Sequence, residues 1–257
     1  MKFIDTHSHL YAKEFDEDRN EVVQKAIDSG VEKILLPNIS SKHTQRMLSL
    51  CQNYPNNCFP MMGLHPCDVH LDNYEEEIMH VKKELLTKKY IAVGEIGIDL
   101  HWDKSTLEIQ KKAFANQILL AKDNNLPIVI HVRNSFDETI NIVEKYNDDN
   151  LSGVFHCFTG NINEANQIIG LKNFYIGVGG VLTFKNSNLD ETIKNIDEKY
   201  LLLETDSPYL TPTPYRGTRN ESKHIIEIAK KLAEIKNISI NEVSKFTNEN
   251  ANKLFKI

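Results

Sequence analysis

The sequence predicts an α/β chain folded as one (β/α)8 TIM barrel with an added C-terminal helix. Three observations predict it. Eight short apolar runs rich in Val, Ile, Leu and Phe recur at 2–4, 33–36, 59–63, 91–93, 127–130, 153–155, 174–178 and 201–203, each reading as a strand buried on both faces. Segments of helical periodicity separate them, and strands alternating with crossover helices imply a parallel sheet. The 257 residues match the roughly 250 that eight such units need to close into a barrel.

The helices follow from their apolar spacing and start signals. Val22, Val23, Ala26 and Ile27 line one face after the first run, and Phe114, Gln117, Ile118 and Ala121 line another after the fourth. Ser105 with Glu108, Asn161 with Glu164 and Ser239 with Glu242 each place a cap residue three positions before a Glu, the pattern of a capping box. A Gly-x-Gly-x-x-Gly motif does not follow the first run, which weakens a doubly wound dinucleotide-binding sheet. The proline-dense stretch 207–214 reads as a stiff loop, and the periodic segment 241–255 exceeds the eight-helix count as an added helix packing outside the barrel. With no sequence repeat, low-complexity tract or linker, residues 1–257 read as a single TIM-barrel domain.

Composition narrows the classes. Hydrophobic residues make up 40% of the chain and charged ones 26%, too apolar for disorder. No run approaches the roughly 18 to 20 apolar residues of a membrane span, so no membrane partner is expected. The N-terminus lacks a cationic region followed by an apolar run, so no secretory signal is expected. Cys51, Cys58, Cys67 and Cys157 form no Cys-x-x-Cys pair; reduced thiols and a cytoplasmic location follow. With 30 basic and 36 acidic side chains the net charge is −6. Such a chain does not coat duplex DNA by bulk charge, so a nucleic acid partner requires a local site.

The chemistry-bearing residues cluster at strand ends. Alternation puts Asp5, His7 and His9 on one face just after the first run. His65 follows the third run, Glu95 the fourth, His131 the fifth and His156 the sixth, while the eighth leads into Glu204 and Asp206. Five of the ten histidines thus join carboxylates at the C-terminal strand ends, where barrel enzymes place their catalytic groups. So many buried imidazoles facing carboxylates are costly unless ionised, paired or metallated, which favours a metal site over a polar barrel mouth. His43, His70, His80, His101 and His224 fall in helices or loops without matching carboxylates and read as solvated or locally bonded.

Six segments in this order, Asp5-Thr6-His7-Ser8-His9, Gly63-Leu64-His65-Pro66, 93–99 with Glu95 at its centre, His131-Val132-Arg133, 156–160 and 204–210, together resemble the TatD-type metal-dependent deoxyribonuclease family. The resemblance runs from Phe3 to Phe255. It implies a TIM barrel of the amidohydrolase-like group, two divalent cations, and hydrolysis of phosphodiesters in DNA or RNA, often from the 3′ end of single strands. Carried onto this chain, it implies His7, His9 and Asp206 on one ion, Glu95 as a bridge, and His131 and His156 on the other. The segment 216–221 also resembles a family segment, with Ser222 where relatives commonly have Pro, which bears on the stiffness of that loop.

Mixed imidazole and carboxylate ligands suit Zn, Mn, Co or Ni better than Mg, and paired ions can activate water and stabilise both oxygens of an in-line displacement. Asp206 is the candidate base. Arg133, two residues past His131, shares its face and can clamp a phosphate; His65 can bond a non-bridging oxygen. Glu204, one pleat below Asp206, can orient a ligand. Lys185, Arg216 and Arg219 lie on the loops after the last two strands, where such barrels bind phosphate, among Phe158, Phe184, Tyr209 and Tyr215, the mixture a single strand needs. The leading expectation is a nuclease. Hydrolysis of another ester or amide, such as a lactone or an aminoacyl-tRNA ester, is the enzymatic alternative, and a metal-stabilised binding protein the non-enzymatic one, which an activating carboxylate at Asp206 argues against.

Overall fold

A parallel sheet needs a crossover after every strand, and the chain supplies one each time. The computed structural model describes residues 1–87 and 89–257. Its elements run β1 (Phe3–Asp5), α1 (Arg19–Asp28), β2 (Val31–Pro37), α2 (Ser41–Asn53), β3 (Cys58–Met61), α3 (Tyr74–Leu85), β4 (Val93–Asp99), α4 (Leu107–Asn124), β5 (Ile128–Arg133), α5 (Phe136–Tyr146), β6 (Gly153–Phe155), α6 (Ile162–Gly170), β7 (Phe174–Val178), α7 (Leu189–Lys194), β8 (Leu201–Leu203), α8 (Ile225–Lys236) and α9 (Ile240–Phe255). Parallel ladders run β1-β2-β3 and β4 through β8. Two seams close the ring: Met62 N donates to Ala92 O at 3.1 Å and Gly94 N to Met62 O at 3.0 Å, while Thr6 N donates to Leu203 O at 3.1 Å and His9 N to Ser207 O at 2.7 Å. Buried Asp5 reinforces the second seam by accepting from Thr205 N at 2.9 Å and Thr205 Oγ1 at 2.7 Å.

β6, β7 and β8 match their apolar runs. β4 and β5 extend further than expected, to Asp99 and Arg133, because an apolar-run criterion stops at the first polar residue whereas the ladder pairs Gly97 with His131 and Asp99 with Arg133. Gly97, at φ +147°, brings these strands together: a Cβ there would overlap the His131 carbonyl. The boxes Asn161–Glu164 and Ser239–Glu242 form. The Ser105–Glu108 box does not, because Asp103 takes both Ser105 N at 2.8 Å and Ser105 Oγ at 2.6 Å and nucleates a short 3-10 turn ahead of α4.

The added helix departs most from expectation. α9 lies across the N-terminal end of the barrel, where its Ala251, Leu254 and Phe255 pack with Ile4, Leu35, Met61, Ala92, Val129, Val154, Tyr175 and Leu202, a ring of side chains drawn from every strand or its approach. Asn248 accepts from Ile4 N at 3.1 Å, and Asn250 Nδ2 donates to Leu201 O at 2.9 Å. A surface amphipathic pattern and an end-plugging one look alike in sequence, since each buries one stripe. α9 seals the floor and leaves the opposite mouth as the wet end.

Because Phe255 is 3% exposed within that plug, Phe255→Ala should lower unfolding free energy by about 3 to 5 kcal/mol, the range for buried Phe truncation, in urea denaturation. Bound metal per folded chain should stay unchanged. A loss under about 1 kcal/mol would show that the floor does not depend on the helix.

Candidate metal centre

The floor positions the site by simple alternation. Two residues beyond Val129, Val154 and Leu202, on the same pleat face, stand His131, His156 and Glu204. Two more beyond Glu204 stands Asp206, turned into the mouth by a left-handed backbone at φ +55°, a conformation Asp tolerates better than most residues. His7 and His9 arrive from β1, whereas Asp5, expected to share their face, turns to Thr205 and stays out of the cluster. Glu95 arrives from β4, its N donating to Asn38 O at 3.1 Å while Asn38 Nδ2 donates to Gly63 O at 3.0 Å.

Glu95 is buried at the centre, and its two oxygens face different groups. Oε2 lies 3.1 Å from His7 Nε2 and 3.4 Å from His9 Nε2; Oε1 lies 2.7 Å from His131 Nδ1, 2.7 Å from His156 Nε2 and 3.4 Å from His65 Nε2. Asp206 Oδ1 completes the first group at 3.5 Å from His9 Nε2 and 3.8 Å from His7 Nε2. The His7 and His156 rings stack with centroids 3.9 Å apart, joining the halves.

Hydrogen bonds decide which nitrogen each ring presents. Tyr11 Oη donates to Pro37 O, so it accepts from His9 Nδ1 at 3.0 Å and turns His9 Nε2 towards Glu95. Asp99 Oδ2 accepts from His131 Nε2 at 2.9 Å, which turns His131 Nδ1 to Glu95 Oε1 at 2.7 Å. Sequence reasoning gave Tyr11 and Asp99 no role. The signal was available, since Tyr11 is two residues past His9 and Asp99 four past Glu95, spacings that alternation puts near their partners. Asn220 was missed for want of any local pattern: its Nδ2 donates to Thr205 O at 2.8 Å and Tyr209 O at 2.7 Å, fixing the loop that carries Asp206. Glu204 is buried beneath, with Oε1 accepting from Cys157 N and standing 3.6 Å from His156 Nδ1. Gly177 makes the room, because a Cβ there would overlap the Glu204 carboxylate.

The donor set fits divalent cations. Ligand atoms about 2.0–2.1 Å from a tetrahedral ion stand roughly 3.3 Å from one another. His7 Nε2 and His9 Nε2 are 3.2 Å apart, and their separations from Glu95 Oε2 and Asp206 Oδ1 span 3.1 to 3.8 Å. Around Oε1 the groups are hydrogen-bonded at 2.7 Å, so an ion there must part them. Buried His7 Nδ1, His156 Nδ1 and Glu204 Oε2 have no hydrogen-bond partner, a cost that tighter ligand orientation would offset. Without ions, protons hold the charges together. Burial opposes charge on His9, but hydrogen bonds and the fields of Asp206 and Glu95 push it up to about 10. Burial likewise opposes charge on His156 and His131, yet Glu95 with Glu204 raises the first and Asp99 with Glu95 the second. For Asp99, burial is outweighed by hydrogen bonds from His131 and His101 N, which hold it at about 2.

The rim residues divide. His65 Nδ1 accepts from Cys67 N at 3.1 Å and burial lowers its pKa, so its proton resides on Nε2, which is a donor towards the site. Arg133 is exposed, its guanidinium 5.5 Å from the Trp102 ring centre. Lys185 is exposed on its loop, and Arg216 stacks on Phe184 at 3.8 Å while one N–H donates to Thr211 O at 3.0 Å. Arg219 does not serve as expected: it forms a fork with Asp18 at 2.9 and 2.6 Å, donates to Glu14 O at 2.7 Å, and covers Phe15, which commits its donors to the scaffold. Phe158 is buried and Tyr215 stacks on His224. Of the other histidines, His43 is engaged locally with Ser40, His80 with Thr44 and His224 with Asn220.

The family model described as "TatD related DNase" matches residues 4–256. A Bacillus subtilis protein named "Uncharacterized metal-dependent hydrolase YabD" is 39% identical over 255 residues, 99% of each chain. A Pectobacterium carotovorum protein named "3'-5' ssDNA/RNA exonuclease TatD" is 29% identical, over 99% of each chain. The crystal structure of YJJV, a TatD homologue from Escherichia coli, superposes with a TM-score of 0.92 at 30% identity, covering 99% of this chain and 98% of that one.

Because His9, His131 and His156 hold protons that a cation must displace, metal binding should release protons and weaken as pH falls. Calorimetric titration of chelator-stripped protein in buffers of different ionisation enthalpy should show net release near neutrality. Apparent affinity should rise between about pH 6 and about pH 8. A pH-independent affinity without proton release would contradict the protonation pattern.

Proposed function

The chain belongs to the TatD-related DNase family of metal-dependent hydrolases, and from that premise we propose that it hydrolyses phosphodiester bonds in single-stranded DNA or RNA, working from the 3′ end with two divalent ions (Zn, Mn, Co, Ni or Mg). The observation that carries this reading is the division of Glu95, one oxygen facing His7 and His9, whose Nε2 atoms also meet Asp206, and the other facing His131, His156 and His65. In this reading Glu95 would be shared between the ions, and His7, His9, Asp206, His131 and His156 would hold them. The ions supply Lewis-acid charge that polarises the phosphodiester and makes water acidic enough to attack near neutral pH.

The chain's own residues do the rest. Asp206 is the more exposed carboxylate, at 13% against 3% for Glu95. Burial raises its pKa, but the facing imidazoles of His9, His7 and His156 bring it below the ordinary value, so it is ionised and accepts the proton of the attacking water. His65 Nε2–H donates to a non-bridging phosphoryl oxygen. Asp99 and Tyr11 hold the rings of His131 and His9 so that the inner nitrogen of each would offer its lone pair once an ion displaced the proton there, and Glu204, 3.6 Å below His156 Nδ1, is placed to orient that ring. At the rim Arg133, with Lys185 and Arg216, binds the phosphate backbone; a guanidinium matches two phosphate oxygens at once. The relative named for 3′ to 5′ exonuclease action on single strands supports the substrate and polarity.

End-labelled single-stranded DNA, offered to metal-loaded protein, tests the reading. Loss of the 3′ label first is expected. Inertness towards every nucleic acid, with turnover of lactones or amides, would overturn it. Asp206→Asn keeps the shape but cannot accept a proton, so kcat should fall on the order of 10² to 10⁴ with a smaller change in substrate affinity. Near-wild-type kcat with both metals present would remove Asp206 as the base.

A further inference from the structure

One large apolar side chain at the wet end of the barrel is unexplained by packing. Trp102, the chain's single tryptophan, is 74% exposed on the loop leaving β4, three residues past Asp99. The loop is anchored to the metal centre by a short chain of bonds: His101 N donates to Asp99 Oδ1 at 2.8 Å, and Asp99 Oδ2 holds His131 at 2.9 Å. The His101 ring meets the indole edge-on with centroids 4.7 Å apart. Arg133 covers one side of the indole at 5.5 Å, and the ladder pairing of Asp99 with Arg133 fixes the two on adjacent strands. The high exposure of the residue leaves the rest of its surface to solvent.

We propose that Trp102 is a stacking platform for a nucleobase of the single-stranded substrate, set beside Arg133 so that ring and guanidinium take the base and phosphate of one nucleotide. This rests on the nucleic-acid reading above. A rim aromatic adjoining a rim cation is the pairing that binds single strands without sequence preference, because every base offers a π-face. A large exposed indole without such a use adds apolar surface facing water. The guanidinium restricts the indole through cation–π attraction, so the platform is partly ordered before the strand arrives. A chain of net charge −6 needs such local sites to hold a polyanion.

The single tryptophan makes the test direct. Metal-loaded protein is titrated with a fluorescently labelled, phosphorothioate-linked oligothymidylate that resists hydrolysis, following label anisotropy for binding and indole emission for contact. Saturable quenching of Trp102 should track the anisotropy. An abasic oligomer of equal length should bind more weakly and leave the emission largely unquenched. Trp102→Phe should retain most of the affinity, whereas Trp102→Ala should lose roughly tenfold or more, as expected for one lost base stack, with bound metal per folded chain unchanged. Binding seen by anisotropy with no change in indole emission, or equal affinity of Trp102→Ala, would overturn the platform alone. No binding of either oligomer would overturn both the platform and the nucleic-acid reading.

Discussion

A single buried carboxylate, Glu95, sets the terms for the residues around it. An ionised group this far from water is tolerated only if positive charge meets both its oxygens, and the barrel answers with imidazoles on each side. Those rings are useful only in one tautomer. Tyr11 and Asp99 therefore spend hydrogen-bonding capacity on the outward nitrogens of His9 and His131, and Asn38 ties the Glu95 backbone to neighbouring strands. Beneath them lies a layer with no polar choice at all, the apolar ring closed by α9. Close-packed interiors resist displacement, so the floor holds the strand ends that carry the imidazoles and carboxylates in register while the mouth remains open to water.

Much of this was legible in the sequence because the same constraint writes both. Strands buried on two faces must be apolar, so eight runs announced the barrel, and the clustered imidazoles and carboxylates emerge where those runs end. The reading failed where a polar residue continues a strand, as in β4 and β5, because ladder hydrogen bonds do not depend on hydrophobicity. It missed Asp99 and Tyr11 because their partners are imidazoles already assigned elsewhere. Arg219 was misread because the carboxylate that neutralises it, Asp18, lies 201 residues away along the chain, a contact no local pattern encodes. α9 has the stripe expected of a packed helix, but which surface receives the stripe is a tertiary fact.

Under the proposed reading an acidic protein serves a polyanion through its rim. The cations placed for that task are Arg133 beside His131, and Lys185 and Arg216 on the loops after β7 and β8, with Arg219 withdrawn into the scaffold. Salt-dependent attraction from so few charges is modest, which puts weight on aromatic contacts and on the ions themselves to hold a strand. The geometry thus sets a buried centre of paired imidazoles and carboxylates beneath a rim that carries Arg133, Lys185 and Arg216.

The most direct test of a Glu95-bridged pair is electron paramagnetic resonance of protein stripped by chelator and reloaded with manganese(II), with metal content measured on the same sample. The account predicts two ions per chain and an exchange-coupled spectrum, as expected for ions about 3.5 to 4 Å apart, and loss of that coupling in Glu95→Gln. One ion per chain with the hyperfine pattern of an isolated manganese, in the unaltered protein at saturating metal, would contradict it.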